Sequence, residues 1–451
     1  MQASQRKTRS DASLHEDKDM ASFPDSTKTT KNILSSKIPL ISWVVWWTAG
    51  LFYLYEYILR VSASVMTNHL MQDFGVTASA LGVLVSFYYY AYVPLQIPCG
   101  VIVDRLGARR VITISSVFCT VGCFFFATSG NLAYAEFGRF LMGAGSACAY
   151  LSTAKLAAEW FPPQKFALLT SITMGMGTLG GTFGGKPFAV IVNQFGWRQA
   201  MIFAGIAGVC VTLTAWLIVR DRPETKASSQ PADTSNEKQS LLHGLKIIAG
   251  NPQSWLIGLY GCFMYLPLSA FAELWGVPYL MQLHGIDNEL ASTASVMVFI
   301  GMAIGCPLSA WVSDKLQSRL KVMGYSALLT AILFCFIVYC PIIPLNMVFP
   351  LLFITGVIAG GQILYFAAAK EINPPNISAT TIGFTNTLVM VSGIIFQPLL
   401  GYLLDYAWDG KMVNNLPVYT TTAYQLALSP VPICLFVSWI LLKFVRETYP
   451  K

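Results

Sequence analysis

The sequence predicts an all-α membrane protein of twelve transmembrane helices in two pseudo-symmetric six-helix bundles. Three observations predict it. Of 451 residues, 55% are hydrophobic and 11% charged; soluble domains carry about 25% charged residues, so this chain cannot coat itself for water. Apolar stretches recur along the chain, each near the length of about 20 residues that a membrane helix needs. A polar break divides them six and six. An ordinary cytosolic enzyme, a secreted disulfide scaffold and a disordered chain are thereby excluded. Barrel strands would be about 10 residues long and alternate in polarity. These runs are longer and apolar all round, so helices are favoured.

The elements follow in order. Residues 1–37 are polar, lack the apolar core of a signal peptide and read as a disordered cytoplasmic tail. The N-terminal bundle occupies 38–220, with spans at 40–66, 79–103, 111–128, 131–154, 166–192 and 197–219. Residues 221–252 form a polar cytoplasmic linker. The C-terminal bundle occupies 253–445, with spans at 253–279, 290–313, 321–340, 345–368, 377–404 and 419–442. Residues 446–451 are a short cytoplasmic end. The ten Cys residues sit mostly inside apolar runs with no CxxC pair, and read as free core thiols.

Basic residues set the orientation. With the N-terminus in the cytoplasm, 24 of the 29 Lys and Arg fall on that side. Arg198 and Lys411 fall outside, and Arg60, Arg139 and Lys186 fall within spans. This asymmetry explains the net charge of +7. The cations form no single patch, so nucleic acid is not an expected partner. The expected partners are a small-molecule substrate and the lipid bilayer, with the chain a monomer in a bacterial inner membrane. Short outer loops without glycosylation sequons fit that membrane. An acidic dileucine pattern, Glu237 to Leu242, would suit a lysosome but also matches any polar loop entering a helix.

The halves echo each other. Gly100 to Arg110 reads GVIVDRLGARR after span two, and Cys306 to Leu320 reads CPLSAWVSDKLQSRL after span eight. Asp104 and Asp314 each end the second helix of a half and precede a cation. The first loop resembles the signature loop of the major facilitator superfamily, G-x-L-a-D-r-x-G-r-k. The second copy keeps Asp314 but lacks the second Gly. In span four, Arg139-Phe-Leu-Met-Gly143-Ala-Gly145 resembles the family's R-x-x-x-G-x-G motif. The Gly-rich run at 175–185 resembles its antiporter motif without the usual Gly-Pro pair. The resemblance covers residues 40–445 and implies the major facilitator fold, with spans one, four, seven and ten lining a central cavity. It also implies that Asp104, Arg105, Arg109 and Asp314 form a conformational gate, with Asp104 placed favourably at a helix N-terminus. Tyr55 to Met66 and Ala272 to Tyr279 are similar to two branches, the lysosomal dipeptide transporters and the amino-acid transporters of intracellular bacteria.

Two motifs mislead. Gly175-Met-Gly177-Thr-Leu-Gly180 fits GxGxxG, and Gly180 to Lys186 fits the start of a phosphate loop. Both need a preceding strand and a soluble α/β setting. Here they lie in an apolar run, where small residues let helices pack closely. His15, His69, His243 and His284 are scattered without metal-ligand spacing. No metal, cofactor or enzyme activity is expected.

An ionisable side chain in a span is costly and by default faces a cavity or a partner. Glu56 and Arg60 are i,i+4 neighbours in span one. Glu136 lies near the outer end of span four, with Arg139 one turn deeper. Lys186 lies in the outer half of span five, and Glu273 toward the outer end of span seven. The expected substrate-binding residues are Glu56, Arg60, Arg139, Lys186, Glu273, Tyr57 and Tyr365. Glu56 and Glu136 are the proton-coupling candidates. Tyr88, Tyr89, Tyr90 and Tyr92 crowd span two, and Gln362, Asn386 and Gln397 are uncharged wall candidates. Each charged residue also has a bland reading: a structural pair for Glu56–Arg60 or Glu136–Arg139, snorkelling for Lys186, a solvated mouth for Glu273. The charge placement suits a zwitterion, so the expected function is secondary transport of an amino acid or short peptide by alternating access. The alternatives are transport of an organic anion, by proton symport or antiport, and nutrient sensing on a transporter scaffold.

Overall fold

Backbone amides in hydrocarbon must bond within their own segment, which is why each apolar run is helical. The computed structural model describes residues 39–221, 243–340, 343–413, 416–447 and 449. The expected tail and most of the expected linker lie outside those residues. Among the described residues, nine helical segments are long and apolar enough to cross a membrane. They are span two (Ala78–Leu106), three (Ala108–Ala127), six (Trp197–Ile218), seven (Pro252–His284), eight (Asn288–Leu316), nine (Arg319–Tyr339), ten (Leu345–Glu371), eleven (Thr380–Tyr406) and twelve (Thr421–Phe444). Span one is the Trp- and Tyr-rich helix Leu40–Val61. Span four is divided into Leu132–Ser146 and Ala149–Trp160, and span five into Phe166–Gly184 and Lys186–Phe195. The three spans outside the nine are those that carry the first half's membrane-depth charges.

Burial sorts the helices. In span seven 78% of the most apolar stretch is buried, in span six 28%. Spans three, six, nine and twelve turn stripes of apolar side chains outward, such as Phe203, Ile206, Leu213 and Leu217, or Tyr325, Leu329, Ile332 and Phe336. Those stripes recur every three or four residues and match a lipid-facing surface. Glycines let the inner helices approach closely. A Cβ on Gly143 of span four would lie 1.9 Å from the Tyr88 carbonyl oxygen of span two. A Cβ on Gly180 of span five would lie 2.3 Å from the Leu54 carbonyl of span one. The glycine-rich decoys are therefore packing surfaces within a membrane helix.

The halves meet most closely at one end, the Asp405 face. There Asp405 of span eleven accepts from the Thr77 hydroxyl (2.6 Å), the Ser79 amide (2.8 Å), the Ala78 amide (3.1 Å) and the Tyr419 hydroxyl (2.6 Å). It thus caps the N-terminus of span two across the interface, where the helix dipole favours an anion. Asn288 donates to the Val65 carbonyl (2.9 Å), and Ser86 to the Gly393 carbonyl (3.1 Å). Toward the opposite end, the Asp104 face, Asn386 donates to Gln96 (3.0 Å). Beyond that pair, Gly100, Gly175 and Gly383 face open space.

The Asp104 face repeats one device twice. Asp221, after span six, accepts from the Arg109 amide at the start of span three (2.8 Å). Glu447, after span twelve, accepts from the Arg319 amide at the start of span nine (2.9 Å). Gly107 turns the chain between spans two and three at φ 79°, and Gln317 holds the corresponding place at φ 48°. This is the second glycine that the later loop lacks.

One expectation fails outright. Cys99 of span two and Cys148 of span four form a disulfide, with Cα atoms 5.4 Å apart. They are 49 residues apart in sequence, so only helix packing brings them together. The bridge sits where span four is broken at Ala147 and Cys148.

Candidate functional site

Three spans of the first half and one of the second build a buried charged cluster. In span one, Arg60 sits one turn after Glu56, and its Nη2 donates to both carboxylate oxygens at 3.0 and 3.2 Å. Both side chains are almost completely buried. Tyr88 of span two closes the triangle: its hydroxyl donates to Glu56 Oε2 (2.7 Å) and accepts from Arg60 Nε (3.3 Å). The Arg60 guanidinium lies 4.3 Å from the Tyr57 ring centre and 4.8 Å from that of Tyr92. Aromatic faces attract a desolvated cation, so these rings hold Arg60 without neutralising it.

Arg139 of span four is also buried, but its polar contacts are main-chain carbonyls. Nη1 donates to Leu59 (3.0 Å) and Nη2 to Val85 (3.5 Å). Leu59 lies in the last turn of span one's α-helix, where carbonyls lose their intrahelical partners. Arg139 thus clamps span one at the point where it gives way to the 3-10 turn Ser62–Val65. Its Nε is buried without a partner. Among the described residues no carboxylate pairs with Arg139.

Glu273 comes from span seven. That span runs as an α-helix over Pro252–Met264, a π-helix over Pro267–Trp275 and an α-helix over Gly276–His284. The Gly276 amide reaches back five residues to the Phe271 carbonyl. Such wide turns are frequent at functional sites. Glu273 is fully buried. It accepts from Tyr89 of the first half and from Tyr265 of its own span (3.2 Å). Arg60 and Arg139 both act on it through space.

The structure therefore gathers Glu56, Arg60, Arg139, Tyr57 and Glu273. Tyr365 of span ten is buried in the same region, within electrostatic reach of Tyr57, Tyr92 and Tyr150 of the other half. Glu273 is not at a solvated mouth, because π-winding and the two tyrosines draw it inward. Glu136 is half-buried and is not the partner of Arg139, which turns toward spans one and two instead. Lys186 is exposed, outside the buried cluster, at the start of the second segment of span five. Tyr88 and Tyr89 hold central places that the sequence reading assigned mainly to packing. Their signal was spacing: Tyr88 and Tyr92 share one helix face, and Tyr89 points to its neighbour.

The gate residues pair within their own halves. Asp104 binds Lys155 of span four (2.8 Å), and Asp314 binds Arg319 (2.9 Å), which also reaches Glu371 of span ten (3.4 Å). Asp221, not Asp104, occupies the helix N-terminus. Arg109 rests on Trp216, donating to its carbonyl (2.8 Å). Arg105 is exposed. The Asp405 cap, absent from the sequence reading, joins the two halves directly.

The family model described as Major Facilitator Superfamily matches residues 45–398. A hexuronate transporter of Bacillus subtilis is 24% identical over 427 residues, spanning 88% of this chain and 95% of that protein. The membrane sensor protein UhpC of Salmonella typhimurium is 24% identical over 388 residues, spanning 80% and 86%. Among solved structures, a bacterial homologue of the human lysosomal transporter Spinster, captured inward-facing and unoccupied, superposes with a TM-score of 0.69. It shares 16% identity and covers 91% of this chain and 96% of its own, a likeness of fold. The hexuronate carried by the Bacillus subtilis relative is an organic anion, not an amino acid or peptide.

Proposed function

The chain belongs to the major facilitator superfamily, and on that premise we propose that it moves a small organic anion together with a proton by alternating access. The observation that carries the reading is Arg139, a buried guanidinium that has no carboxylate partner among the described residues and that shares the Tyr88 ring with a second guanidinium, Arg60. With Glu56 and Glu273 ionised, the two cations and two carboxylates of the cluster balance. One bound proton leaves a single positive charge, which one substrate carboxylate neutralises. Burying either alone is costly, so proton and anion enter together. In this scheme the substrate takes Arg60, and Glu56, released from the pair, holds the proton.

The halves are joined at the Asp405 face by the Asp405 cap, and the charged cluster is buried from solvent. The excess of Lys and Arg at the Asp104 face favours a cytoplasmic position for that face and for both termini. Short outer loops fit a bacterial inner membrane, and we take the monomer as the working unit. A second reading is nutrient sensing without net transport, favoured by the relative that is a membrane sensor.

A thermal-shift screen of purified protein tests the substrate class. Organic acids such as D-glucuronate are expected to raise the melting temperature of the wild type but not of Arg60→Ala. Stabilisation by neutral sugars alone, or equal shifts in both proteins, would overturn the reading. Flux in proteoliposomes separates the carrier from a sensor, which would bind without moving solute.

A further inference from the structure

Span ten changes winding in the middle of the membrane. It runs as an α-helix over Leu345–Ala359, a 3-10 turn over Gly360–Ile363, and an α-helix over Leu364–Glu371. The tighter turn is forced where the backbone of span ten lies against span eight: a Cβ on Gly360 would meet the Gly305 carbonyl carbon at 2.4 Å. Gln362 lies within that turn. Its side chain is 98% buried, being 2% exposed. Among the described residues its Oε1 has no hydrogen-bond partner, and its Nε2 meets only the thioether of Met302, at 3.2 Å. A thioether is a weak acceptor.

A buried amide left so poorly satisfied destabilises the fold that carries it. Native proteins rarely carry that cost without a reason. Gln397 of span eleven also leaves its Oε1 without a partner, but its Nε2 donates to the Ser269 carbonyl at 2.8 Å, whereas neither end of the Gln362 amide meets an oxygen or nitrogen partner among the described residues. Gln362 lies three residues before Tyr365, so the two share one side of span ten. Tyr365 lies within electrostatic reach of Tyr57, Tyr92 and Tyr150 of the opposite half. The unsatisfied amide thus lies on the Tyr365 side of span ten, against Met302 of span eight.

We infer that Gln362 is the second half's hydroxyl-recognition residue, selecting hydroxylated organic acids over acids of equal size and charge that lack hydroxyls. The inference rests on the anion reading above and extends it. A carboxylate cannot donate and would repel Oε1. A hydroxyl donates to Oε1 and accepts from Nε2, so it satisfies the amide whichever way the group is turned. The substrate then spans the halves: its carboxylate lies on the guanidinium side, and its hydroxyls lie on span ten. A site built to bond a hydroxyl discriminates strongly against an analogue without one, because its own polar atoms are left unpaired.

The matched probes are D-glucuronate and cyclohexanecarboxylate, six-membered rings with one carboxylate each, of which only the first carries hydroxyls. Affinities are measured by calorimetry on purified wild type, Gln362→Leu and Gln362→Asn. The wild type is expected to bind D-glucuronate about tenfold or more tightly than cyclohexanecarboxylate. Gln362→Leu should erase that preference by weakening D-glucuronate alone, and Gln362→Asn should retain part of it. Melting temperature and gel filtration check that each variant is folded. Equal wild-type affinities, or a Gln362→Leu change that weakens both acids alike, would overturn the assignment while leaving the anion reading intact. Failure of both probes while another, hydroxyl-free organic acid binds would do the same. Failure of every organic acid tested would remove both.

Discussion

Glu56→Gln is the substitution with the most to decide. The native carboxylate takes three contacts, two from Arg60 Nη2 at 3.0 and 3.2 Å and one from Tyr88 at 2.7 Å. Removing one partner of a buried ion pair costs about 3–5 kcal/mol. Gln preserves the volume and one acceptor oxygen, which keeps the Tyr88 contact, so the expected cost sits near about 3 kcal/mol. The variant also fixes the cluster at one net positive charge, imitating the proton-loaded state. Bound anion should therefore rescue it: ligand at a hundred times its Kd restores about 2.7 kcal/mol. The assay pairs melting temperatures with and without D-glucuronate with transport in proteoliposomes. Wild-type affinity should fall about tenfold per pH unit once the acceptor carboxyl loses its proton, because binding takes up one proton. The variant should bind with no such slope and should exchange substrate across the membrane without accumulating it. Uphill accumulation by Glu56→Gln, or a slope like the wild type's, would refute the proton assignment.

Other outcomes follow from the same geometry. Arg139→Ala should abolish transport while leaving folded protein in the membrane, and normal uptake by this variant would remove Arg139 from the site. Asp405→Asn removes a charge from the N-terminus of span two, worth up to about 2 kcal/mol or roughly thirtyfold in population. Cysteine-reagent labelling at the buried Val65, on a cysteine-free background, should rise as the Asp405 face opens; unchanged labelling would mean that other contacts hold the face shut. Gln317→Gly relieves a left-handed residue and should raise thermal stability by about 1 kcal/mol, whereas a lower melting temperature would show that the Gln317 side chain has a role of its own. Gly143→Ala puts a methyl group 1.9 Å from the Tyr88 carbonyl and should destabilise by about 1–3 kcal/mol, read as a lowered melting temperature.

Much of this molecule was legible in its sequence, and the limits have physical causes. Apolar length gives the spans, because bilayer thickness fixes helix length. The Glu56–Arg60 pair was legible because both residues lie on one helix at a spacing that must bring them together. Arg139 was found as an ion in a span, but its partners were not, since main-chain carbonyls of Leu59 and Val85 leave no mark on composition. The burial of Glu273 was not legible, since its contacts with Tyr89 and Tyr265 depend on span packing and on the wider winding of span seven. Lys186 was grouped with the cations by depth alone, yet helix rotation leaves it exposed. The Cys99–Cys148 bridge and the Asp405 cap join segments far apart in the chain, so only the packing of spans reveals them. The second loop's missing glycine was visible, but Gln317 adopting a positive φ in its place was not.

The most direct test of the central claim is proton flux driven by an organic anion. Proteoliposomes carry a pH-sensitive dye inside, the voltage is clamped to zero by potassium and valinomycin, and D-glucuronate is added outside. The account predicts lumenal acidification in step with anion entry in the wild type and neither in Arg60→Ala. Anion entry without acidification, or acidification that survives Arg60→Ala, would contradict it.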